Sequence, residues 1–193
     1  NDDGTVMKGQ QLFDFAAEFK IPVITIEDLT KYAIANLSSD AAESEELSWA
    51  QLPHESGSWQ IATFKGDAGV DHAVLKFGDG ASGADPTLIR AHSECLTGDA
   101  FGSLRCDCGE QLKSSFDLIA QKGSGYIIYL RGQEGRGIGL SEKIKAYLLQ
   151  DAGLDTIAAN LELGHQNDIR DWQDLISILD QLDIKDVELI TNN

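Results

Sequence analysis

Residues 126–131 read YIIYLR, an aromatic and β-branched run that ends on the glycine-rich segment RGQEGRGIGL, 131–140. A short apolar run stopped by glycines is a buried strand. Helical patterns flank it at 109–121 and 136–151, and in the second Ile138, Ile144, Leu148 and Leu149 take core spacing. Upstream, WQIATF, HAVLKFG and PTLIRAH are further strands, separated by the turns GDAG and GDGASGADP. Downstream, helices are expected at 155–163 and 171–182, and VELIT closes the chain's pattern as a strand at 187–191. Strands alternating with helices give an α/β fold class, three-layer, with a mixed β-sheet and helices on both faces.

The first fifty residues differ in character. Leu12, Phe13, Phe15, Ala16 and Phe19 have helical spacing over 10–19. Pro22 then opens the β-branched run Val23-Ile24-Thr25-Ile26, and 27–36 reads as another helix. The polar, acidic stretch from 37 to 48 has no apolar period and reads as a linker or as an acidic helix with a solvated face. With 193 residues, one good-sized domain plus a fragment fits best. The expected division is a fragment at 1–36, an acidic linker at 37–57 and a domain at 58–193.

The net charge is −17, a field that repels phosphate backbones and argues against nucleic-acid binding. No apolar run is long enough to span a membrane. Basic residues concentrate in the middle: residues 90–145 carry 8 basic and 7 acidic side chains. An anion would be handled there.

All 3 cysteines fall within HSECLTGDAFGSLRCDCG, as Cys95, Cys106 and Cys108. An odd number so closely spaced is not a disulfide framework and reads as a reducing compartment. Thiolates are soft ligands that select zinc or iron–sulfur chemistry. Three protein ligands leave a fourth tetrahedral position open, as at a catalytic zinc; a structural zinc closes it, and His92 or Asp107 could do so. Three reduced thiols without a metal are the remaining reading.

In RGQEGRGIGL the glycines let the backbone approach a ligand, the following helix offers free N–H groups, and Arg131 and Arg136 add forked donors. The segment matches neither common phosphate-binding fingerprint, and a purely structural turn is the other reading. Glu134 could accept the N1–H and 2-amino group of guanine. If the helix begins at 136, Arg136, Leu140, Lys143 and Tyr147 share a face, with Arg136 and Tyr147 roughly 16 Å apart along the axis. Tyr147 alone also fits an ordinary half-buried tyrosine, and Asp168 and Arg170 a solvated loop.

Taken in order, RAHSECLTGDAFGSLRCDCGEQL, YLRGQEGRGIGL, KIKAYLLQDAGLDT, the Asn160–Gly164 N-x-x-L-G, DIRD and LITNN resemble the GTP cyclohydrolase II family over 58–193. The opening NDDGTVMKGQQLFDFAAEFKIPVITIEDLTKY is similar to the C-terminal tail of 3,4-dihydroxy-2-butanone 4-phosphate synthase, often fused ahead of that family. The synthase's catalytic motifs lie upstream of that tail, so the resemblance implies no synthase activity here.

The resemblance implies opening of the guanine imidazole ring of GTP, with release of formate and pyrophosphate. The product is 2,5-diamino-6-(ribosylamino)-4(3H)-pyrimidinone 5′-phosphate, the first step of riboflavin biosynthesis. It implies one zinc per subunit on Cys95, Cys106 and Cys108, activating water, and Mg2+ on the GTP triphosphate. Arg170 aligns with the family's nucleophile at the α-phosphate, Asp168 with its proton acceptor and Tyr147 with a tyrosine near the ring. Arg90, His92, Ser93, Glu94, Gln111, Glu134, Gly135, Arg136, Thr156 and Thr191 align with GTP contacts. A cytoplasmic homodimer is implied. An arginine is a poor nucleophile because its pKa exceeds about 12. An electrostatic role for Arg170 on the leaving pyrophosphate is the physical alternative. The sequence departs from the family after DIRD, where WQDLISILDQL puts bulk at Leu175 and Ile176. A family lysine that contacts GTP falls beyond Asn193. The alternative function is a GTP-binding regulatory domain without turnover.

Overall fold

The computed structural model describes residues 8–29, 32, 46–67, 69–80, 86–166 and 168–191. The chain divides into two compact units, Asn1–Glu45 and Glu46–Asn193. In the first, helix α1 spans Gln10–Phe19 and ends where Lys20 turns left-handed at φ 54°. Its Phe15 and Phe19 rings pack 4.6 Å apart, yet both are exposed. The β-branched run at 23–26 forms no strand. Thr25 instead starts a helical turn at 26–29: its hydroxyl accepts the Asp28 N–H at 2.9 Å, and the Asp28 carboxylate takes the Thr25 N–H at 3.3 Å. That reciprocal cap overrides the β preference. Most of the expected helix at 27–36, and the stretch 37–45, lie outside the described residues.

The second unit is built on a six-stranded sheet: β1 Ala50–His54, β2 Gly57–Lys65, β3 Asp71–Phe77, β4 Thr87–Ser93, β5 Gly125–Leu130 and β6 Val187–Leu189, in the order β1-β2-β3-β5-β4-β6. Its helices are α2 Leu96–Asp99, α3 Cys108–Lys122, α4 Gly139–Asp151, α5 Thr156–Glu162 and α6 Gln173–Gln181, with a 3-10 turn at Glu134–Gly137. β1 through β3 and β5 pair antiparallel, whereas β4 runs parallel to β5 and β6. β1 lies inside the stretch expected as linker, so from Ala50 onward that stretch is sheet.

Strand alternation makes the layers. Tyr126, Ile128 and Leu130 of β5 face one cluster, packed by Leu175, Ile178 and Leu179 of α6. Ile127 and Tyr129 face the other, packed by Leu112, Phe116 and Ile119 of α3. Helices therefore cover both faces. Of the bulk introduced after DIRD, Leu175 packs on the core and Ile176 is exposed.

The expected helix at 136–151 is broken. Gly135 and Arg136 sit at φ 62° and 64°, and the α-helix starts only at Gly139. Arg136 is therefore not on a common helical face with Tyr147. The buried side of α4 is also not the expected one: Lys143 and Ala146 are buried, while Ile144 and Leu148 are exposed.

Candidate active site

Parallel strands place ligands beyond their C-terminal ends. Ser93 and Leu130 end β4 and β5 side by side, and the chain leaves them as the cysteine segment and the glycine-rich turn. Between these segments opens a cleft of about 800 Å³.

Cys95 precedes α2 and Cys108 begins α3, with Cys106 in the intervening loop. Their sulfurs all lie within 4.8 Å of one another, and Cys95 and Cys106 are 3.5 Å apart. Zinc–sulfur bonds of about 2.3 Å at tetrahedral angles require sulfurs roughly 3.8 Å apart, so the set fits one ion. Neither candidate fourth ligand joins it among the described residues. His92 is buried and directs Nε2 to Asp99 at 3.0 Å, while Asp107 is exposed. The floor beneath the sulfurs is Gly98: a Cβ there would stand 2.9 Å from the Cys106 sulfur.

Asp99 fixes this corner. It accepts hydrogen bonds from the Tyr129 hydroxyl at 2.7 Å and the Cys95 N–H at 3.0 Å, besides its pairing with His92. Burial alone would raise its carboxyl, but His92 and Tyr129 hold it below the usual range. Burial and the Asp99 charge push the Tyr129 phenol up. For Cys95, burial is outweighed by hydrogen bonds led by that from Lys143, and its thiol is lowered. Burial and the two neighbouring sulfurs push Cys108 up.

Lys143 reaches the Cys95 sulfur at 3.1 Å, Thr97 Oγ1 at 3.0 Å and Glu134 Oε1 at 2.5 Å. Burial opposes its charge, but Glu134 and Cys95 raise its pKa. Glu134 also takes the Leu96 N–H at 2.7 Å. Its carboxylate is thus hydrogen-bonded within the protein on both oxygens. The Tyr147 hydroxyl lies 3.1 Å from Thr97 Oγ1, and its ring is covered by the Arg105 guanidinium.

Arginines complete the lining, Arg90 buried beside the helix that Cys108 begins and Arg170 in the loop before α6. Arg170 donates Nη1–H to Ser93 Oγ at 3.0 Å, and its Nε and Nη2 fork onto Asp168. That fork holds the exposed Asp168 carboxyl below its usual range. Arg90 donates to Gln111 at 2.6 Å and to the Ile190 carbonyl at 3.2 Å, and its buried Nε has no hydrogen-bond partner among the described residues. Glu94 accepts the Gly132 N–H at 2.8 Å.

The cleft lining brings together Arg90, His92, Ser93, Glu94, the three cysteines, Gln111, Gly135, Arg136, Tyr147, Thr156, Arg170 and Thr191. Glu134 and Asp168 stand outside that lining. Lys143 carries a sequence signal only as a member of the Tyr147 helix face, one turn before it, with no role attached. Thr97, Asp99 and Arg105 need tertiary geometry.

The GTP cyclohydrolase II family model matches residues 45–193, thirteen residues more at the start than the motifs suggested. A riboflavin biosynthesis protein RibBA from Salinispora tropica is 46% identical over 194 residues, covering all of this chain and 47% of the relative. A RibBA from Bacillus subtilis is 41% identical over 194 residues, covering all of this chain and 48% of its own. The chain spans about half the length of the curated relatives it matches. Among solved structures, RibBX, a two-domain 3,4-dihydroxy-2-butanone 4-phosphate synthase from A. baumannii, matches 80% of this chain and 44% of its own, with a TM-score of 0.38 and 21% identity. The family match runs through the whole sheet and every residue of the cleft, and on that ground this chain belongs to the GTP cyclohydrolase II family.

Proposed function

We propose that this chain hydrolyses GTP within riboflavin biosynthesis, opening the imidazole ring and releasing formate and pyrophosphate. The product is 2,5-diamino-6-(ribosylamino)-4(3H)-pyrimidinone 5′-phosphate. The observation that carries this reading is the junction of three convergent sulfurs and several arginines in one cleft. Zinc held by Cys95, Cys106 and Cys108 supplies Lewis acidity and water activation. Mg2+ accompanies the triphosphate, whose charge is met by Arg90, Arg136 and Arg170. His92, Ser93, Glu94, Gln111, Gly135, Thr156 and Thr191 contribute to the GTP site, and Tyr147 stands beside the base. Glu134 belongs to the same site through Lys143.

The Arg170–Asp168 fork bears on the arginine's role. Bonded to an ionised carboxylate, Arg170 stays a charged donor and suits stabilisation of the leaving pyrophosphate better than attack on phosphorus. Pyrophosphate release by Arg170→Lys at near wild-type rates would count against both roles.

Residues 1–36 are read as the C-terminal remnant of the synthase part, consistent with RibBA relatives aligned over the whole chain. A homodimer accords with exposed Leu140, Ile144 and Leu148 on α4 and Ile157 and Leu161 on α5. A cytoplasmic setting accords with three free cysteines. No helix among the described residues is long and apolar enough to cross a membrane.

The test is formate and pyrimidine release from GTP by zinc-loaded and chelator-stripped protein. Formate matching pyrophosphate, lost on stripping, is expected. GTP binding without formate would replace the reading with a regulatory one.

A further inference from the structure

Lys143 is a buried cation whose three N–H directions are all taken. Its partners are the Cys95 sulfur at 3.1 Å, Thr97 Oγ1 at 3.0 Å and Glu134 Oε1 at 2.5 Å. An ammonium has three donors and no acceptor. No N–H therefore remains for a substrate, although the side chain borders the cleft.

The partners belong to two segments that leave adjacent strands, the cysteine segment after β4 and the turn after β5, joined at their start by the Glu94 carboxylate on the Gly132 N–H. Glu134 closes a second link between them by accepting the Leu96 N–H, the peptide next to Cys95. Thr97 extends the cluster to α4, because its hydroxyl also meets the Tyr147 hydroxyl at 3.1 Å. One cation thus bears on a sulfur at one end and on the tyrosine at the other. A pair needed only for folding has no reason to aim at a sulfur. Three thiolates on a divalent ion carry one excess negative charge, and a buried ammonium in hydrogen-bond contact offsets it.

We infer that Lys143 is a positioning residue for ring opening: it fixes the Cys95 sulfur as a metal ligand and, through Thr97, the Tyr147 hydroxyl. This rests on the reading of the three cysteines as a metal site. It differs from that reading in assigning work to a side chain that touches neither GTP nor the reacting atoms.

The test uses Lys143→Met, Lys143→Arg and Thr97→Val in the full chain, each checked for an unchanged fold by circular dichroism. Metal affinity is read by competition with a chromophoric chelator, and ligand geometry by the absorption of the Co2+ form. Lys143→Met is expected to weaken metal binding about tenfold to a hundredfold, the range of lost outer-shell partners, and to shift the sulfur-to-cobalt band. Lys143→Arg should recover most of the affinity, since it keeps the charge. Thr97→Val should leave metal affinity near that of the unaltered chain and lower kcat with little change in KM.

Wild-type affinity and an unshifted band in Lys143→Met would overturn the inference while leaving the metal site standing. Failure of the unaltered chain to take up Co2+ would bring down the metal reading, and this inference with it. Should Lys143→Met not fold, Thr97→Val decides: an unchanged kcat overturns the inference, and a lowered kcat with intact metal binding supports it.

Discussion

On the thiol side of the cleft, polar groups are buried and partnered within the protein. Lys143 is 9% exposed and Glu134 5%, and each hydrogen-bonds inward. On the opposite side, Arg136 and Asp168 are exposed and Arg170 is half-buried. Its fork to Asp168 lies at the surface, where a salt bridge is worth little and exchanges easily for another anion. Burial explains the contrast. An unpaired buried charge costs several kcal/mol, so the inner side must be finished before a ligand arrives. The outer side can wait for a phosphate. One side is held by partners within the protein, and the other is a set of exchangeable donors.

That contrast sets the order of expected effects. Cys106→Ala should remove bound zinc and lower formate release by about three orders of magnitude or more, read by metal analysis and formate assay. Arg170→Ala should cost about a hundredfold to a thousandfold in rate while leaving metal content unchanged. If Arg170→Ala lost metal as well, the two sides would not be independent. Gly98→Ala puts a methyl 2.9 Å from the Cys106 sulfur, so the sulfur must move. Metal affinity should fall about tenfold, with a smaller change in GTP affinity.

Asp99→Asn tests the inner side through stability. Asp99 has a lowered carboxyl in the folded protein, so its contribution is complete above its unfolded value near 3.8 and is lost as pH falls through the folded value. Urea midpoints should show a loss of about 1–3 kcal/mol at pH 7, shrinking as the solution is acidified below the unfolded value. A penalty that did not change with pH would assign the loss to packing. The smallest effect is expected on the rim: Arg105→Ala removes an exposed pair with Asp151 and should change stability by less than about 1 kcal/mol.

The sheet was readable because its strands obey local rules. β2, β3, β4 and β5 carry alternating or continuous apolar runs between glycine turns, and all four form where the pattern placed them. β1 was missed because its Ala-Gln-Leu-Pro-His lacks β-branched residues and is held by pairing with β2. The cysteine cluster was legible from spacing. The face of α4 was not. Periodicity favours the apolar Ile144 and Leu148 as core, but Lys143 is buried instead, against the Cys95 sulfur. The same cluster engages Glu134, which accepts the Lys143 and Leu96 N–H groups. The left-handed Arg136 is a backbone state that residue type does not announce, although the flanking Gly135 and Gly137, both at positive φ, allow it.

Zinc K-edge X-ray absorption on the metal-loaded chain probes the three sulfurs themselves. The account predicts three sulfur neighbours at about 2.3 Å and one exchangeable oxygen, with the oxygen shell altered by GTP. Fewer than three sulfurs, or a histidine nitrogen in the fourth place, would contradict it.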